Sequence, residues 1–118
     1  MMQDWPELIE AMNEGVKNLR QGAPEVMQGF SALAQGALGG TALDKKTKEL
    51  IALAISVAVR CQPCIAFHAK AAAKYGATRE EALEAMGMAI YMGAGPSVMY
   101  AVRGAGAGGV RPVAGGLA

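Results

Sequence analysis

A chain of 118 residues with a formal net charge of +1 supports a single domain and lacks the basic excess that nucleic acid or an anionic membrane surface would require. Hydrophobic residues make up 53% of it but aromatic ones only 5%, so Ala, Leu, Ile, Val and eight Met must do the packing, which suits closely approaching helices. So large an apolar share on so small a body points to an oligomer.

The N-terminal MMQDWPELIE carries acid early and lacks the basic region, apolar segment and cleavage site of a signal peptide, so the cytoplasm is the expected compartment. Asp4 followed by Pro6 and Glu7 reads as a helix start, and Leu8, Ile9, Met12, Val16 and Leu19 recur at helical spacing. A first amphipathic helix is expected over about 5–20, ended by Gly22. Pro24 with Glu25 opens a second, in which Val26, Met27, Phe30, Leu33 and Ala34 keep one face apolar up to the glycines at 36, 39 and 40. The short connection makes these two helices neighbours.

Asp44 caps a third helix, KKTKELIALAISVAVR, reaching Val59 or Arg60. From Leu50 to Val59 only Ser56 is polar, and a helix apolar all round belongs at the centre of a bundle or in an oligomer interface. The three lysines in its first turns oppose the helix dipole, so a solvated edge is their expected place.

Pro63 fits the first turn of a fourth helix, which Gly76 closes; Thr78 and Glu81 form a capping box for a fifth, running to about Met92. A sixth, short helix is expected from about Pro96 to Val102. Residues 85–102 carry no formal charge, but Gly87, Gly93, Gly95 and Pro96 interrupt them, so a buried soluble segment is expected rather than a membrane span. Beyond Arg103 the sequence GAGAGGVRPVAGGLA reads as a Gly-rich flexible tail over 104–118, leaving 1–103 as the domain. No run alternates with period two, so the expected fold is all-α, a compact bundle of about six helices.

The stretch CQPCIAFH, residues 61–68, holds both cysteines and the only histidine. On a helix Cys64 and His68 are one turn apart and Cys61 projects close to the same face. Cys61 sits at the helix start, where free N–H groups and the dipole stabilise a thiolate and can bring a thiol from ~8.5 down to about 3.5–7.5. A neutral His68 can take the proton, and the C-x-x-C pair can close to a disulfide. Zinc is an alternative, although two Cys and one His fall short of the usual four ligands unless Glu49 adds an oxygen. A c-type haem requires His directly after the second Cys, and a thioredoxin-like fold requires strands between its helices. Simple packing of buried free cysteines is the plain alternative.

Glu49 is the single acid between Lys45 and Val59. In one unbroken helix its distance to Cys61, twelve residues on, is about 18 Å. The break that Pro63 implies lets the third and fourth helices fold together and brings Glu49 toward the thiols as a proton acceptor or shuttle; an exposed Glu beside Lys48 is the alternative.

Glu49, then C-x-x-C at Cys61 and Cys64, then His68 four residues further, followed by the G-A-T-x-E-E turn at Gly76 to Glu81, form one pattern. The stretch from about 24 to 101, most strongly 49–96, resembles the AhpD-like alkylhydroperoxidase branch of the carboxymuconolactone decarboxylase superfamily. The resemblance implies an all-helical protomer in a homo-oligomer, commonly a hexamer, with antioxidant peroxidase or disulfide oxidoreductase activity. It also implies a relay in which Cys64 attacks a peroxide substrate, Cys61 resolves the sulfenate as a disulfide, and His68 and Glu49 move protons. An external dithiol reductant is implied, with no metal, flavin or haem cofactor. The helix start favours Cys61 as the lower-pKa thiol and the His68 contact favours Cys64, which is taken as the attacking one. The chain is shorter than two-repeat members and holds one motif copy, so no peroxiredoxin-docking surface follows. Decarboxylase members lack the C-x-x-C pair, which makes lactone decarboxylation a poor fit. The competing class is a non-catalytic redox-sensing or metal-binding oligomeric adaptor.

Overall fold

The computed structural model describes residues 3–107, and these are all-α. Five helices follow one another: α1 Trp5–Gly22, α2 Pro24–Gly39, α3 Lys45–Ala58, α4 Gln62–Lys74 and α5 Arg79–Gly106. Their starts are capped as the sequence implies. The Asp4 carboxylate accepts from the Glu7 N–H at 3.0 Å and the Asp44 carboxylate from the Thr47 N–H at 2.7 Å. Thr78 and Glu81 close a reciprocal capping box on α5.

Two expectations change at the C-terminal end. The fifth and sixth helices are one, because α5 continues through Pro96. The residue before a proline is normally forced out of the helical region by a clash with its own Cβ, but here that residue is Gly95, which has none. The helix then loses only the bond that the Pro96 nitrogen cannot donate. Residues 104–106 belong to α5, so helix extends past Arg103, and the remaining tail from 108 on lies outside the described residues.

The packed centre is α3 against α4 and α5, with α1 laid across α4 and touching α2. α3 buries Glu49, Leu53 and Ser56, one stripe at helical spacing, against Ala66 and Ala72 of α4 and Ala89 of α5. Alanines on the facing helices allow close approach, as the low aromatic content implies. Around this centre the protomer is drawn out to 59 Å in its longest dimension, with a radius of gyration of 19.3 Å. About 13 Å is usual for a compact domain of 100 residues. The segment 85–102, expected to be buried, contributes only Ala89, because nothing among the described residues covers the far half of α5. No helix among the described residues is long and apolar enough to cross a membrane.

The α3 lysines lie at an exposed or half-exposed edge, as expected, and also make tertiary contacts there. Lys48 Nζ donates to the carbonyls of Leu38 at 3.1 Å and Gly40 at 2.6 Å, satisfying the end of α2. Lys46 pairs with Glu81 of α5 at 2.7 Å, and Lys45 Nζ lies 5.6 Å from the Tyr75 ring centre. They oppose the dipole of their own helix while tying down its neighbours.

Candidate active site

The junction of α3 and α4 builds the site. α3 ends in a Schellman turn: the Cys61 N–H donates to the Ser56 carbonyl at 3.0 Å and the Arg60 N–H to the Val57 carbonyl at 3.2 Å. Arg60, between them, takes the left-handed conformation with φ 63°. The reversal lays α4 back along α3 and makes Cys61 the N-cap of α4, with Pro63 in the first turn. The Cys61 sulfur accepts from the Cys64 N–H at 3.3 Å. Cys61 and Cys64 are joined as a disulfide, their Cα atoms 5.2 Å apart.

The same reversal carries Glu49 to α4. Its Oε2 lies 2.7 Å from His68 Nδ1. Only 8% of the Glu49 side chain is exposed, against 34% of His68, so the alternative of an exposed Glu beside Lys48 does not hold. A carboxylate only accepts, so Nδ1 carries the proton and Nε2 is left as the basic nitrogen of the ring. His68 in turn stands one turn beyond Cys64 on α4. Four side chains read from spacing thus fall into two contacts, one covalent between the cysteines and one hydrogen-bonded between Glu49 and His68.

Two contributors were not read as such. Ser56, taken as the lone polar residue of an apolar run, is 3% exposed; its hydroxyl donates to the Ala52 carbonyl at 2.7 Å and its own carbonyl holds Cys61. Arg60 supplies the turn itself, where glycine or asparagine is the usual sign of a left-handed residue. Its guanidinium Nη1 donates back to the Val57 carbonyl at 2.8 Å.

A sequence profile described as the carboxymuconolactone decarboxylase family matches residues 24–107, which contain the whole site and exclude α1. A solved structure of a carboxymuconolactone decarboxylase family protein from Legionella pneumophila, in its apo form, is similar with a TM-score of 0.74 and 50% identity, covering 86% of this chain and 90% of that one. An uncharacterized protein of Cupriavidus necator is 35% identical over 101 residues, spanning 86% of this chain and 89% of the relative. "Uncharacterized protein 4 in cox locus" of Paracoccus denitrificans is 42% identical over 72 residues, 61% of this chain and 65% of the relative.

Proposed function

The chain belongs to the carboxymuconolactone decarboxylase family, and from that premise we propose that it is a thiol-dependent peroxidase or disulfide oxidoreductase of the AhpD-like type. The observation that carries the reading is a C-x-x-C disulfide at the start of α4 whose flanking His68 is held by the buried Glu49 at 2.7 Å. A lactone decarboxylase has no use for that pair.

In the reduced protein, His68 Nε2 takes the proton of Cys64, assisted by Glu49 on the far ring nitrogen. The Cys64 thiolate attacks the terminal peroxide oxygen, the O–O bond breaks, and the leaving alkoxide takes the proton from His68 to depart as an alcohol. The sulfenic acid left on Cys64 is attacked by the Cys61 thiolate; the S–S bond forms and hydroxide leaves as water with the proton that Cys61 gave up. Two thiols and one hydroperoxide become one disulfide, one alcohol and one water. An external dithiol restores both thiols by exchange and is itself oxidised to a disulfide. Such cycling suits a reducing compartment, so the cytoplasm is the proposed location, and the working form is a homo-oligomer.

Steady-state consumption of hydrogen peroxide and of an alkyl hydroperoxide, with a dithiol donor, tests the reading. Wild type turns over, while Cys64→Ser and Cys61→Ser lose turnover. Activity that survives either change sinks the mechanism, and stoichiometric oxidation without turnover favours the redox-sensing adaptor instead.

A further inference from the structure

The thiol cycle uses one oxygen of Glu49. Its Oε2 meets His68, and the other oxygen receives no protein donor among the described residues. No side-chain oxygen there is both sealed from solvent and unpaired, so that second oxygen reaches solvent. A cavity of about 370 Å³ lies where α3 faces α2, lined by Glu49, Lys45, Tyr75, Ala34, Gln35 and Leu38. Neither cysteine nor His68 lines it. The buried carboxylate therefore stands between His68 of α4 and this cavity on the α2 side.

We propose that the cavity is a back door through which the Glu49–His68 relay exchanges protons with bulk water while peroxide or dithiol donor occupies the thiol face. The inference rests on the peroxidase reading. Removing solvent from a carboxylate disfavours its charged form, and one hydrogen bond from His68 leaves most of its lone pairs to be met by water. The charges around it are few. On α3, Lys45 stands one turn before Glu49, while Lys46 and Lys48 are engaged by Glu81 and by the end of α2. α4 presents His68, with Tyr75 at its end under Lys45. α2 offers only the neutral Gln35 to the cavity. Lys45 thus lines the mouth as a cation over the Tyr75 ring, with Lys74 over the same ring at 5.8 Å, and both draw solvent to it.

Ala34→Phe and Leu38→Trp fill the cavity from α2 and leave the α3–α4 contact untouched. In each the thiolate absorbance of the reduced protein appears at higher pH than in wild type, by about one unit. The acid limb of peroxide turnover moves the same way and the alkaline plateau is kept. Glu49→Gln abolishes that limb. A merely structural effect lowers the rate equally at every pH, and that result, or a titration identical to wild type in both filled variants, overturns the back door. Turnover surviving in Cys64→Ser removes the peroxidase reading instead, and the thiolate titration then still judges the cavity.

Discussion

At the scale of single residues, the placement of Cys61 at the start of α4 follows from a turn in the left-handed region at Arg60. Arg60 occupies a conformation that costs a residue with a Cβ of order 1–3 kcal/mol, and its guanidinium bond to Val57 returns part of this. Arg60→Gly should therefore leave stability within about 1 kcal/mol of wild type, the relief of strain offsetting the greater freedom of glycine in the unfolded chain. Arg60→Val, branched at Cβ and without the guanidinium, should lose about 1–3 kcal/mol. Urea unfolding of the oxidised protein checks both; a valine variant as stable as the glycine one contradicts the strain argument. The nearness of Cys61, Cys64 and His68 was legible because they lie within two helical turns, and Glu49 stood out as the only acid in its helix. Arg60 and Ser56 were not legible, because their contributions are made by backbone groups, through a carbonyl and a φ angle that any side chain can accompany.

At the scale of elements, the ends of the helices decide how stability responds to pH. Hydrogen bonds from Thr47, its side chain first and then its N–H, hold Asp44 below its ordinary 3.8. The Lys46 hydrogen bond, and after it the Thr78 N–H, holds Glu81 below 4.5, and the Glu81 bond raises Lys46 above 10.5. A carboxyl lowered by folding stabilises fully above its unfolded value and stops doing so as pH falls through the folded one; a raised lysine stabilises fully below its unfolded value and stops as pH rises through the folded one. The part of the thermal stability that these three groups supply should thus be constant between about pH 5 and 10 and shrink on both sides. Glu81→Gln should shorten the acid fall and leave the neutral plateau only slightly lower, since both partners are partly exposed. Thermal unfolding midpoints measured across pH, with and without the substitution, decide it; an acid fall unaltered by Glu81→Gln excludes this pair as its source. Capping boxes are local, so the sequence revealed them. The partners of Lys46 and Lys48 are tertiary, and charge pattern alone did not name them. Gly-Pro likewise read as a break, and only the absence of a Cβ at Gly95 explains why α5 runs on.

At the scale of the molecule, little apolar surface is buried among the described residues of the protomer. Among the described residues the buried apolar ones are Leu53 and three alanines, whereas twenty large hydrophobic ones are at least 37% exposed. Fully burying one large aliphatic side chain is worth about 1.5–3 kcal/mol, and a stable domain needs about 5–15 kcal/mol beyond its conformational entropy. The exposed residues are organised rather than scattered. Val26, Phe30 and Leu33 form one stripe on α2, Ile51 and Ile55 of α3 with Val59 just past its end another, and the far half of α5 carries Val98, Met99, Tyr100 and Val102. Stripes at helical spacing bury well against other helices, and the apolar excess visible in the composition is accounted for if copies of the chain supply them. We therefore expect a homo-oligomer by sedimentation, with an unfolding midpoint that rises with protein concentration. Replacing Met99 and Tyr100 with Asp should dissociate it and lower that midpoint together, because one surface serves both assembly and stability. A wild-type monomer at micromolar concentration, with a midpoint independent of concentration, would mean that the drawn-out protomer holds its shape by the α3–α4–α5 contacts alone.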